Sequence, residues 1–112
     1  MFSIYHNPRC SKSRQALSLL EEKGISPEVI LYLEKTPSKD ELKEILKKLA
    51  ISADQLLRKN EADYKAHIKG VTDEDKLIEL MLAYPKVIER PIIIKGDRAV
   101  IGRPPEALLD LL

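Results

Sequence analysis

The sequence predicts an α/β domain in which helices flank and cover both faces of a mixed parallel and antiparallel sheet. Three observations predict this fold class. The chain opens with an apolar run, a helical pattern and a second apolar run. It closes with two apolar runs around a Gly-Asp pair and a final leucine-rich segment. Between them, roughly from residue 38 to residue 84, every apolar pattern is helical. The element order is therefore βαβ, an inserted helical block, then ββα, within one domain spanning residues 1–112.

The first apolar run, residues 2–5, ends at the turn signal Asn7-Pro8. Ala16, Leu17 and Leu20 follow at helical spacing, and Gly24 suits a helix stop. Residues 29–33 (Val-Ile-Leu-Tyr-Leu) read as a strand buried on both faces. Strand, helix and strand in that order form a right-handed crossover with parallel strands. Ser38 and Glu41 have capping-box spacing, and Leu42, Ile45, Leu46 and Leu49 form one apolar stripe behind them. Ser52 with Gln55, and Thr72 with Asp75, repeat the capping pattern ahead of two more helical pieces, and Pro85 closes the last. Ile92-Ile93-Ile94 and Ala99-Val100-Ile101 around Gly96-Asp97 read as a hairpin. After Gly102-Arg103-Pro104-Pro105, a proline at the first helical position introduces the last helix.

Composition narrows the function classes. Hydrophobic residues at 44% and charged residues at 33% describe a globular chain, not a disordered one. Nineteen Lys and Arg against 18 Asp and Glu leave a formal charge of +1, with no global pull toward nucleic acid or an anionic membrane. A single cysteine rules out an internal disulfide and suits a reducing, cytoplasmic compartment. No signal peptide and no membrane span is expected. Two widely spaced histidines and one cysteine do not suit a structural zinc site, and no bound metal or cofactor is expected. His67 lies in a polar stretch and reads as a surface residue.

The chemistry points to Cys10. It sits where the first strand gives way to a helix start, and there free N–H groups and the helix dipole favour a negative sulfur. The first 20 residues hold Arg9, Lys12 and Arg14 and no acid, so the surroundings are locally cationic. These features favour a reactive, ionised thiol over the alternative of a small buried hydrophobe. A phosphatase loop would need an arginine where Ala16 stands, and a dithiol redox pair would need a cysteine where Ser13 stands. A redox Cys10 therefore needs an external resolving thiol. Ser13 either hydrogen-bonds the sulfur or is an ordinary first-turn serine. His6 either assists the thiolate or simply bonds the backbone. Arg58, Arg90 and Arg103 fall at element ends, where sites collect, and guanidinium groups grip tetrahedral oxyanions. From spacing alone they read as solvated or salt-bridged arginines.

The segment Tyr5-His6-Asn7-Pro8-Arg9-Cys10-Ser11-Lys12-Ser13-Arg14 resembles the active-site segment of the glutaredoxin-dependent arsenate reductases, the ArsC family. Ile30-Leu31-Tyr32-Leu33-Glu34, Leu56-Leu57-Arg58-Lys59-Asn60, Arg90-Pro91-Ile92-Ile93 and Gly102-Arg103-Pro104-Pro105 extend the likeness over the whole chain, within the YfgD-like branch. The resemblance implies a thioredoxin-like fold with an inserted helical block. It implies that Cys10 attacks arsenate with help from His6, that Arg58, Arg90 and Arg103 bind the oxyanion, and that Ser13, Arg14 and Pro91 support the site. Glutathione and glutaredoxin would be the external reductants, arsenite the product, and Arg90-Pro91 a cis bond. Arg9 and Ser11-Lys12 depart from the smaller residues of well-studied members, and this bears on the shape of the anion pocket. Three other readings stand beside this one. A regulator similar to Spx that binds RNA polymerase shares the Arg-Pro-Ile-Ile segment, but its Cys-x-x-Cys switch is missing here. A glutathione-dependent thiol oxidoreductase of another substrate and a non-catalytic relative of the same fold complete the set.

Overall fold

A computed structural model describes every residue from Met1 to Leu112. The chain divides into two compact units, residues 1–35 with 90–112, and residues 36–89.

The first unit is built on a four-stranded sheet. Its strands are β1 (Phe2–Tyr5), β2 (Glu28–Ile30), β3 (Ile92–Lys95) and β4 (Arg98–Ile101), in the order β2-β1-β3-β4. β1 and β2 are parallel, whereas β3 runs antiparallel to both β1 and β4. The hairpin turns at Gly96, whose φ of 61° lies in the left-handed region that glycine adopts without steric cost. Helix α1 (Ser11–Glu22) and a C-terminal 3-10 helix (Pro105–Leu111) pack on the sheet face that carries Ile4 and Ile93. Ala16 and Leu20 from α1, and Leu108 and Leu111 from the last helix, complete that core. Each such Leu or Ile contributes about 1.5–3 kcal/mol through burial. Arg98 Nη2 donates to the Asp110 carbonyl oxygen at 2.7 Å, which ties β4 to the end of the last helix.

The apolar run at 29–33 behaves differently from its sequence reading. Only Glu28–Ile30 is strand, it forms a sheet edge, and Val29 is 44% exposed. The expectation of a strand buried on both faces is therefore corrected. A strand with one neighbour needs less cover than a central one, and the chain turns at Leu31, whose carbonyl accepts from the N–H groups of Glu34 and Lys35. The final helix is also 3-10 in type.

The second unit holds α2 (Lys39–Leu49), α3 (Glu74–Ala83) and several short turns. The Ser38 side chain accepts from the Glu41 N–H, and the Glu41 carboxylate accepts from the Ser38 N–H, a complete capping box. Leu42, Ile45 and Leu46 of α2, and Leu77, Ile78 and Met81 of α3, are buried where the two helices pack together. The second predicted helical piece is only a 3-10 turn, Ala53–Leu56, with Gln55 accepting from the Ser52 N–H. The α3 cap lies one residue beyond the expected Thr72, because the Asp73 side chain accepts from the Lys76 N–H. A π-helical turn at Tyr64–Ile68 had no sequence signal, and within it the exposed His67 stacks on Tyr84 at a centroid distance of 4.3 Å. No helix is long and apolar enough to cross a membrane.

Candidate active site

β1 delivers the chain into a short loop that ends on Cys10, the N-cap residue of α1. The loop is pinned from several sides. The Cys10 N–H donates to the Asn7 carbonyl at 3.0 Å, and the Arg9 N–H donates to Asn7 Oδ1 at 3.0 Å. Arg14 Nη1 reaches back to the Pro8 carbonyl at 2.8 Å. Arg14 is thus a clamp on the loop. Cys10 is a free thiol with 9% of its surface exposed, and the first turn of α1 contains no acid.

Arg103 comes to this sulfur from the far end of the sequence. Its Nη1 lies 3.8 Å from Cys10 Sγ, although 93 positions separate the two residues. The approach depends on Gly102. Its N–H donates to the Pro91 carbonyl at 2.8 Å, and a Cβ at that position would meet Ile93 Cδ1 at 2.7 Å and Pro91 Cγ at 2.9 Å. A side chain at that position would force Ile93 and Pro91 to shift as the chain leaves β4. Arg90-Pro91 is a cis bond, and so is Arg103-Pro104, for which the sequence offered no sign.

Arg90 has a different character. Its Nε and Nη1 are buried and have no hydrogen-bond partner. Leaving a buried donor unmet costs about 1–3 kcal/mol, and more for a charged group. A guanidinium in that state has the donors to bond an anion. Arg58 belongs to the second unit, and its surroundings are the reverse. It pairs with Glu61 at 2.7 Å and Glu89 at 3.7 Å, and it donates to the Lys86 carbonyl at 3.3 Å.

Ser13 does not serve the sulfur. Its hydroxyl is wholly buried, lies 2.6 Å from His6 Nδ1 and accepts from the Asn7 N–H at 3.1 Å. The reading of Ser13 as a hydrogen-bond donor to Cys10 is corrected on that ground. His6, only 6% exposed, is therefore held through Ser13. Burial, and secondarily the nearby Arg14 charge, push the His6 pKa below 6.5, so the imidazole is neutral at pH 7. Both residues were visible in sequence, but their partnership was not, since a hydroxyl on the first turn can face either way. No group of three or more His, Cys, Asp or Glu side chains is placed to share a metal ion.

Nearly the whole chain has counterparts among known proteins. Residues 5–111 match the family model described as "ArsC family". The chain belongs to the ArsC family. An arsenate reductase of Haemophilus influenzae is 47% identical over 97% of each chain. The uncharacterized protein YfgD of Escherichia coli (strain K12) is 46% identical, over 97% of this chain and 94% of its own. The solved structure of an arsenate reductase from Vibrio cholerae superposes with a TM-score of 0.95 at 44% identity, covering 99% of this chain and 97% of that one. The sheet order and helix placement described above are accordingly an ArsC version of the thioredoxin-like fold.

Proposed function

We propose that this ArsC protein is an arsenate reductase that draws its electrons from external thiols, glutathione first and glutaredoxin next. The observation that supports this most is the Arg103 guanidinium against Cys10 Sγ at the start of α1. That arrangement favours a thiolate and also attracts the oxyanion it attacks.

In this reading the Cys10 sulfur attacks arsenic(V), an As–S bond forms, and one arsenate oxygen leaves as water after taking up a proton. Arg90, with two unmet buried N–H donors, and Arg103 hold the remaining oxygens and offset the charge that builds on them. Arg58 is the third guanidinium that the family resemblance implies, and its charge is already paired with Glu61. His6, neutral and anchored by Ser13, is the proton-handling group beside the loop. A thiolate then attacks Cys10 Sγ. An S–S bond forms, the S–As bond breaks, and its electron pair stays on arsenic, which leaves as arsenic(III). A second thiol attacks the mixed disulfide and frees Cys10. In sum, arsenate and two thiols give arsenite, one disulfide and water. The external thiol is required because the chain has one cysteine.

The test is turnover of arsenate to arsenite with glutathione and glutaredoxin, in the wild type and in Cys10→Ser. We expect turnover in the first and background in the second. A wild type that reduces a disulfide substrate but never arsenate would point instead to a thiol oxidoreductase of another substrate.

A further inference from the structure

Resting on that reading, the external thiol needs a seat close to Cys10. Grooves lie beside α1 and beside the active-site loop within the first unit. One, of about 500 Å³, runs beside α1 and is lined by Ser11, Gln15, Ser18, Glu22 and Glu106 together with Arg14. It offers two carboxylates and one cation, and that cation is already bonded to the Pro8 carbonyl. A net-anionic peptide gains nothing there.

The other groove, of about 390 Å³, is lined by Asn7, Pro8, Arg9, Leu31, Leu33 and Glu34, with His6 at the loop side. We propose that this groove seats the reducing thiol, and that its ligand is a short thiol peptide bearing both carboxylate and ammonium groups, the chemical class of glutathione. Three observations carry the assignment. Four of the seven lining residues belong to the stretch that runs directly into Cys10. The lining combines apolar surface from Pro8, Leu31 and Leu33 with one exposed cation, Arg9, and one exposed carboxylate, Glu34, which complement a zwitterionic peptide backbone. Both walls are fixed before any ligand arrives. The loop is held by the Asn7 and Arg14 bonds, the turn by the Leu31 carbonyl, and the His6 N–H joins the two through the Ile30 carbonyl at 2.8 Å. Preformed walls lower the ordering cost of binding.

The experiment is a titration of the 15N-labelled protein with S-methylglutathione, which cannot react at sulfur and needs no arsenic. Amide shifts are expected at His6, Asn7 and Arg9 and at residues 31–34. Arg9→Ala and Glu34→Gln are each expected to weaken the affinity roughly two- to fivefold, as exposed charge contacts do, and Glu22→Gln, on the other groove, to leave it unchanged. Shifts confined to Ser11, Gln15, Ser18 and Glu106, an affinity indifferent to both Arg9 and Glu34, or no binding while glutathione still drives turnover would each overturn the assignment. Binding in the groove without arsenate turnover would uphold the seat and remove the arsenate reading, so the two fail separately.

Discussion

Helices α1 and α2 begin in opposite ways. At α2 the Ser38–Glu41 box meets both exposed donors, two acids occupy the first turn and two lysines the last. At α1 the N-cap is Cys10, no side chain caps the helix, and the first turn has no acid. The arginines show the same contrast. Arg58 has two carboxylate partners, whereas Arg90 has two buried nitrogens with none. Where the chain needs only stability, its polar groups are met internally. At the start of α1 the Arg103 guanidinium lies against Cys10 Sγ, and Arg90 keeps two buried nitrogens without a partner, so positive charge is not balanced by carboxylates as it is at Arg58.

The largest expected effect separates the two arginines. Arg90→Ala should weaken oxyanion affinity by about 2–5 kcal/mol, roughly 30- to 5,000-fold. Arg58→Ala should cost less, since its charge is already balanced by Glu61 and Glu89. Arsenate or sulfate affinity by calorimetry checks both, and equal losses would erase the distinction. Next comes Gly102→Ala, where the new methyl group meets Ile93 and Pro91 and should destabilise the fold by about 1–3 kcal/mol. An unchanged denaturation midpoint would mean that β4 can leave the sheet by another line.

The helix starts supply a smaller and more pointed test. Ser38→Ala should cost about 1 kcal/mol. Cys10→Ser, which puts a preferred capping residue on α1, should lose no stability while losing its chemistry. A Cys10→Ser protein markedly less stable than wild type would show the cysteine to be a packing residue first.

The smallest effect is a pH dependence. Burial lowers the His6 pKa below 6.5 in the folded chain, so the unfolded chain binds the proton more readily. His6 therefore leaves stability intact above pH 6.5 and erodes it as the pH falls through the folded value. Urea midpoints between pH 7.5 and 5 should decline in wild type and decline less in His6→Gln. Parallel curves would place the lost stability on other groups.

Much of the fold was legible because its signals are local. The Ser38–Glu41 box, the Gly96-Asp97 hairpin and the cysteine at the start of α1 each depend on residues within a few positions, and each is present. The Asp73 cap was misplaced by one residue because Thr72 and Asp73 both suit that role. The edge position of β2 was not legible, since strand order is set by which strands pair and not by any one strand's composition.

By itself, then, the sequence determined the order of elements, the single cysteine, its cationic neighbours and the lack of a second thiol in the chain. Only the tertiary structure decided that Arg103 crosses 93 positions to reach the sulfur, that Ser13 turns to His6, and that Arg90 keeps open nitrogens while Arg58 does not. The physical reason is range. Caps and turns are settled by neighbours along the chain, whereas the environment of a charge is settled by strand register and by close approaches such as that of Gly102 to Pro91, which no short stretch of sequence encodes.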